Sequence, residues 1–294
     1  MNKKLHSCVP IKMPVFRYGQ GFTLIELVIV MVVMGILAAG FMVFFKPTID
    51  GYFDARRRAD LTDIADTALR KMAQDIRRAV PNSIRSVGAT CIQLVPAVGG
   101  GRYRTGPDIT NDAGTCPGSG VCSKFPDYTA SAGSAQTFDT LVSSGLTPVT
   151  GDAVVINNQN GGDVYGGASR AAVTNVAASP NAQFGVSRID IAANPTSGGY
   201  VEGRYLIVSQ AESSVMYSCS GGRLYRKNMG SFAAAAACPA DGDVLATDVQ
   251  SCEFVYSPSV GATQQSGYLW MTITLSRSGE ALRMAHGSHV DNQP

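Results

Sequence analysis

The sequence predicts an α+β protein: one long N-terminal helix against a mainly antiparallel β-sheet with long decorated loops. Three observations carry that prediction. Apolar residues recur at helical spacing from Phe22 to about Val80. Beyond Asn82 the pattern changes to short alternating runs. Glycine is abundant, at 32 of 294 residues, which suggests many turns. The chain is 45% hydrophobic and 16% charged, with a formal net charge of +2. Its length allows one large or two modest domains. The apolar content excludes wholesale disorder. The small net charge argues against a dedicated nucleic-acid binder.

A basic leader precedes the helix. Residues 1–21 hold Lys3, Lys4, Lys12 and Arg17 and no acid. Phe22 to Phe45 then carries a single ionisable side chain, Glu26. As a helix this 24-residue run would be about 36 Å long, enough to cross a hydrocarbon core of about 30 Å. A buried core helix is disfavoured because the run is apolar on every face. An ordinary secretory signal peptide is the rival, with small residues at Ala38, Ala39 and Gly40. The long leader, the apolar continuation through Phe41 to Phe45, and Glu26 all oppose it. An ionised acid inside such a run costs roughly 3 kcal/mol and calls for a partner. A cut between Gly21 and Phe22 would supply one, a free α-amine on Phe22 of the same or a neighbouring chain.

The segment Gly21-Phe22-Thr23-Leu24-Ile25-Glu26-Leu27 closely resembles the class III signal of type IV pilins and type II secretion pseudopilins. The resemblance covers Gly21 to about Phe45. It implies a pilin fold, cleavage after Gly21 by a prepilin peptidase, and methylation of the new amine on Phe22. It also implies a docking role for Glu26 in assembly with other pilin subunits, on an inner-membrane assembly platform.

Past the apolar run, Pro47 and Gly51 predict a kink or short break. Leu61, Ile64, Ala65, Ala68, Leu69, Met72, Ile76, Ala79 and Val80 then resume helical spacing, and Pro81 marks the end. From Phe22 to Val80 the helix would measure about 88 Å. It needs a sheet or other subunits against its apolar stripe. The expected organisation is a leader at 1–21, a transmembrane half at 22–45, an amphipathic half at 46–80 and a β head at 81–294. The triplet Arg56-Arg57-Arg58 sits among Asp50, Asp54 and Asp60 and reads as a solvated or headgroup-facing patch rather than a nucleic-acid site.

Strands are predicted at Thr90–Val95, Asp152–Ile156, Arg188–Ile191, Arg204–Val208 and Val215–Cys219. Arg223–Arg226 forms a hairpin with the last of these across Ser220-Gly221-Gly222. Cys252–Tyr256, Tyr268–Leu275 and Ala281–Met284 complete the series. Gly99 to Gly151 reads as one long loop with at most a short strand at Phe138–Val142.

Basic residues flank the apolar run equally, four on each side within twenty residues, so charge alone does not orient it. The cysteines do. With Cys8 removed in the leader, six remain: Cys91, Cys116, Cys122, Cys219, Cys238 and Cys252. An even set without metal spacing reads as disulfides formed in an oxidising compartment. Fifteen pairings are open. The spacing suggests Cys116–Cys122 stapling the long loop and Cys219–Cys238 closing the hairpin region, leaving Cys91–Cys252.

Chemistry-bearing motifs are missing, so neither an enzyme nor a cofactor is expected. His286, His289 and Asp291 fall short of the ligands a metal needs and read as the end of an edge strand. Asp241-Gly242-Asp243 reads as an acidic turn rather than a calcium site. The segments Met72–Arg85, Gly222–Arg226 and His289–Asn292 resemble the large minor pilins of mannose-sensitive haemagglutinin (MSHA) pilus biogenesis, a looser match than the leader. The resemblance implies a subunit that primes or caps a type IV pilus. A J-like minor pseudopilin of type II secretion, an anchored adhesin and a secreted hydrolase are the alternatives. Cleavage after Gly21 would remove four Lys/Arg and leave a mature chain of 273 residues with a formal charge of −2.

Overall fold

The computed structural model describes residues 21–112, 121–196, 202–260 and 266–291. The chain divides into two compact units, Met1–Ala55 and Arg56–Pro294. Helix α1 spans Leu24–Arg77, with Pro47 inside it. Of the kink or short break expected there, no break interrupts the helix. Pro47 removes the bond to the carbonyl of Val43, but both residues are exposed, so that carbonyl is open to its surroundings. Gly51 weakens the helix by only about 1 kcal/mol, too little by itself to end a helix of 54 residues.

The predicted end at Val80 is also three residues late. The chain leaves the helix at Arg77 to pair instead with the strand-like segment that follows. Val80 N donates to Val95 O at 2.8 Å, and Ala97 N donates to Arg78 O at 2.8 Å.

The strands are β1 Arg85–Ser86, β2 Cys91–Leu94, β3 Gly99–Tyr103, β4 Gln136–Gly145, β5 Ala153–Val155, β6 Arg170–Ala178 and β7 Ser187–Ile191. After them come β8 Arg204–Val208, β9 Val215–Ser220, β10 Arg223–Asn228, β11 Asp243–Ala246, β12 Val249–Val260, β13 Ser266–Arg277 and β14 Glu280–Asp291. They form three assemblies: a five-stranded sheet β1-β2-β9-β10-β11, a three-stranded sheet β12-β13-β14, and a closed barrel β3-β4-β7-β6-β5-β8. All described pairings are antiparallel. The helix and antiparallel sheets fit the predicted α+β class.

The hairpin between β9 and β10 closes where expected. Ser220 pairs with Arg223. Gly221 and Gly222 both take positive φ, +56° and +75°, as a two-residue turn of this twist requires.

Helix and open sheets share one core. Leu61, Ala65, Ala68, Leu69, Met72, Ala73 and Ile76 of α1 pack with Ile92 and Leu94 of β2, Val215 and Tyr217 of β9, and Phe254, Leu269, Met271, Ile273 and Leu275 of β12 and β13. The stripe recurs every three or four residues because only that face of a 3.6-residue helix meets the sheets. Each large side chain so buried contributes roughly 1.5–3 kcal/mol.

The barrel is an insertion. The chain leaves the five-stranded sheet at Leu94 and returns at Val215, and these two residues are direct register partners. All six barrel strands lie between them in sequence. The expected long loop at 99–151 thus contains two barrel strands, β3 and β4, of which β4 extends the short strand expected at Phe138–Val142. The glycines of β3 explain both its misreading and its fold. A Cβ on Gly101 would lie 1.8 Å from Val142 O, and one on Gly100 2.6 Å from Tyr205 O. Glycine lets β3 lie this close to β4 and β8, though it lowers strand propensity.

Inside the barrel, the rings of Tyr103 and Tyr205 flank Phe138 at 5.5 and 5.7 Å. Asp139, fully buried on β4, is clasped by Arg188 of β7 at 2.7 and 2.9 Å. A separate apolar cluster, including Val80, Val95, Val155, Tyr165 and Val208, packs the barrel against the segment that follows α1. Tyr165 donates its hydroxyl to Ser83 O at 2.7 Å, and Asn158 Nδ2 donates to Pro81 O at 2.6 Å.

Candidate membrane and assembly segment

Gly21, Phe22 and Thr23 precede the first helical turn and are exposed. Thr23 starts the helix. Its Oγ1 accepts the Glu26 N–H at 3.3 Å, and its carbonyl accepts the Leu27 N–H at 3.2 Å. The second is the first regular bond of the helix, and the first satisfies an amide donor that a helix start otherwise leaves open. Thr23-Leu24-Ile25-Glu26 has the Ser/Thr-x-x-Glu spacing of a helix N-terminus. That spacing is the sequence signal that marks Thr23 as the cap. Glu26 falls in the first turn, where a negative charge is favoured by the helix dipole.

Every residue from Gly21 to Arg56 is exposed. Phe22 stands 80% exposed and Phe44 likewise 80%. Phe41 and Phe45, one turn apart, stack at 4.9 Å. An apolar helix open on all sides requires an apolar surrounding. By length and composition α1 can cross a membrane.

Further along α1, Asp75 is fully buried in a charged cluster. Tyr217 of β9 donates its hydroxyl to Asp75 Oδ2 at 2.6 Å, and Arg226 Nε of β10 donates to the same oxygen at 2.8 Å. Arg78 Nη2 and Lys71 Nζ reach Oδ1 at 2.6 and 3.3 Å. Burial alone would push the Asp75 carboxyl up. The bonds from Tyr217, Arg226 and Arg78 outweigh it and hold the pKa below its ordinary 3.8. Burial and the neighbouring Asp75 push the Tyr217 hydroxyl well up. Arg226 also pairs with Glu212 at 2.7 Å. Asp75 and Arg226 belong to the two motifs singled out at Met72–Arg85 and Gly222–Arg226. Their union was not legible, because a single acid on a helix does not announce which strand will answer it.

The disulfide pairing corrects two expectations. Cys91 joins Cys238, and Cys219 joins Cys252. The predicted Cys219–Cys238 and Cys91–Cys252 pairs are absent. Strand alternation gives the reason. Cys91 stands opposite Ser218, so these two share one face of the sheet, and Cys219 points to the other. Cys219 meets Cys252 on the face toward the helix core. The opposite face is crossed by residues 233–239. Gln93, on the Cys91 face, donates to Ala233 O at 2.9 Å and accepts from Ala235 N at 2.8 Å. Ser218 Oγ donates to Pro239 O at 2.6 Å. Cys238 therefore arrives over Cys91. Cys122 is disulfide-bonded, and its expected partner Cys116 lies outside the described residues.

The remaining candidates have local partners. Arg58 pairs with Glu280 of β14, Nε to Oε1 at 2.7 Å. Lys227 Nζ holds both carboxylate oxygens of Asp241 at 2.7 and 2.8 Å. Asp243 opens β11. His286 and His289 lie in β14, an edge strand of its sheet, and His289 packs edge-on against Tyr268 at 5.0 Å. Among the described residues no His, Cys, Asp and Glu group forms a metal cluster.

Residues 17–42 match the model of the prokaryotic N-terminal methylation motif. No curated protein and no solved structure matches the chain. The motif and the exposed apolar helix together support a type IV pilin-like protein, whose motif implies processing by a prepilin peptidase and assembly with other pilins. They suggest a structural subunit rather than an enzyme.

Proposed function

We propose that this chain is a minor pilin that primes or caps an MSHA-like type IV pilus. A prepilin peptidase cleaves after Gly21, Phe22 is methylated, and Glu26 docks into neighbouring subunits. The mature chain waits in the inner membrane through residues 22–45, with its disulfide-bonded domain in the periplasm. The observation that supports this best is a coincidence of position. The methylation motif at 17–42 ends inside a helix that begins three residues after Gly21 and whose residues up to Arg56 are all exposed.

Ion pairing explains the role of Glu26. A carboxylate in hydrocarbon is costly, and the α-amine of Phe22 on an adjacent helix offsets that cost only at one axial register. Hence Glu26→Val should be cleaved and methylated as usual yet fail to enter fibres, read by mass spectrometry and immunogold imaging. Normal fibre incorporation of that variant rejects the docking role. The J-like pseudopilin reading shares the same N-terminal features, and deletion of the gene separates the two. Loss of pili supports the minor pilin, while retained pili with lost protein export supports the pseudopilin.

A further inference from the structure

We infer that Thr23 is a positioning residue for leader cleavage: its N-cap fixes the helix start so that the Gly21–Phe22 peptide bond is presented outside the helix. The inference rests on the proposed cleavage between those residues. Gly21, Phe22 and Thr23 are non-helical and exposed, and regular helix begins at Leu24. The bond from Glu26 N–H to Thr23 Oγ1 at 3.3 Å defines that boundary, because a capping residue keeps non-helical backbone angles while its side chain closes the first turn. A peptide bond within a helical turn has its groups committed to intrahelical bonding and is poorly placed in a peptidase groove. Gly21 itself tolerates the cap position. Without the Thr23 hydroxyl the helix can therefore start two residues earlier, with Phe22 as its first residue. The scissile bond would then join cap to helix. The enzyme would have to select the chain with the later start, and apparent affinity falls by the fraction in that state.

The test uses the full-length chain in detergent micelles with a purified prepilin peptidase. Thr23→Ala should raise KM by up to about fivefold and leave kcat unchanged. Thr23→Ser, which keeps the capping oxygen, should restore KM. Amide hydrogen exchange should show the Ile25 N–H, left without a helical acceptor by the later start, exchanging fast in the wild type and Thr23→Ser and gaining protection in Thr23→Ala, where Gly21 O can accept it. An unchanged KM in Thr23→Ala, or failure of Ser to rescue, overturns the positioning role. Absence of cleavage after Gly21 in the wild type overturns instead the processing reading on which the proposal rests, and the exchange data then decide the cap alone.

Discussion

The scaffold, formed by the second half of α1 with the two open sheets, and the barrel inserted into it are stabilised by different means. The scaffold is cross-linked by Cys91–Cys238 and Cys219–Cys252, one on each face of the five-stranded sheet. Its helix is tied to β9 and β10 through a buried carboxylate. The barrel, whose β3–β4 connection carries the disulfide-bonded Cys122, has no disulfide between its strands among the described residues and closes on itself, with glycines admitting close strand approach and a buried Asp139–Arg188 pair across β4 and β7. Closure removes sheet edges, so the barrel needs fewer outside supports. Its ends meet at the paired residues Leu94 and Val215, so the sheet register continues past the insertion. Lost cross-links or the lost helix tie should therefore damage the scaffold first, while overpacking β3 should damage the barrel first.

The largest expected effect is at Asp75. Asp75→Ala leaves Arg226 without its buried partner and should destabilise the scaffold by about 3–5 kcal/mol. Fluorescence of Trp270, the chain's one tryptophan, which lies in β13, reports the shifted denaturation midpoint. The same group sets an acid limit. Its folded pKa is lowered, so the unfolded chain binds more protons as pH falls. The contribution of Asp75 is fully present above the ordinary 3.8 and is lost as pH drops through the lower folded value. A midpoint insensitive to acid in that window would contradict the cluster.

Next in size, replacing Cys219 and Cys252 together by serine should cost about 2–4 kcal/mol and move the Trp270 transition. Amide protection in β4 and β7 should change far less. Equal losses in both regions would show that barrel and scaffold unfold as one. A smaller and opposite test is Gly101→Ala, whose Cβ would strike the backbone of Val142. It should cost about 1–3 kcal/mol, read as faster exchange in β3 and β8, with β2 and β9 retaining protection.

The same contrast governs what the sequence revealed. In the scaffold, β2, β9, β10, β12, β13 and β14 were legible because their apolar residues alternate and the Gly221-Gly222 turn is explicit. The barrel was half legible. β5, β7 and β8 carry Val and Ile, but β3 begins with three glycines and β6 reads Arg-Ala-Ala-Val-Thr-Asn-Val-Ala-Ala, weak in strand formers. Closure depends on pairings between strands far apart in sequence, which local periodicity does not encode. The Cys219–Cys238 and Cys91–Cys252 expectations failed for a related reason. Spacing favours near neighbours, whereas pairing follows the face of the strand on which each cysteine stands. In the N-terminal segment the reverse held, since composition alone marked the apolar run and its single acid.

The proposed function turns on one bond, between Gly21 and Phe22. Intact-mass and N-terminal fragment spectra of the chain isolated from its host membrane measure it directly. The account predicts a 273-residue chain beginning with N-methylphenylalanine at position 22. A chain beginning after Ala39, or one still carrying residues 1–21, would contradict it.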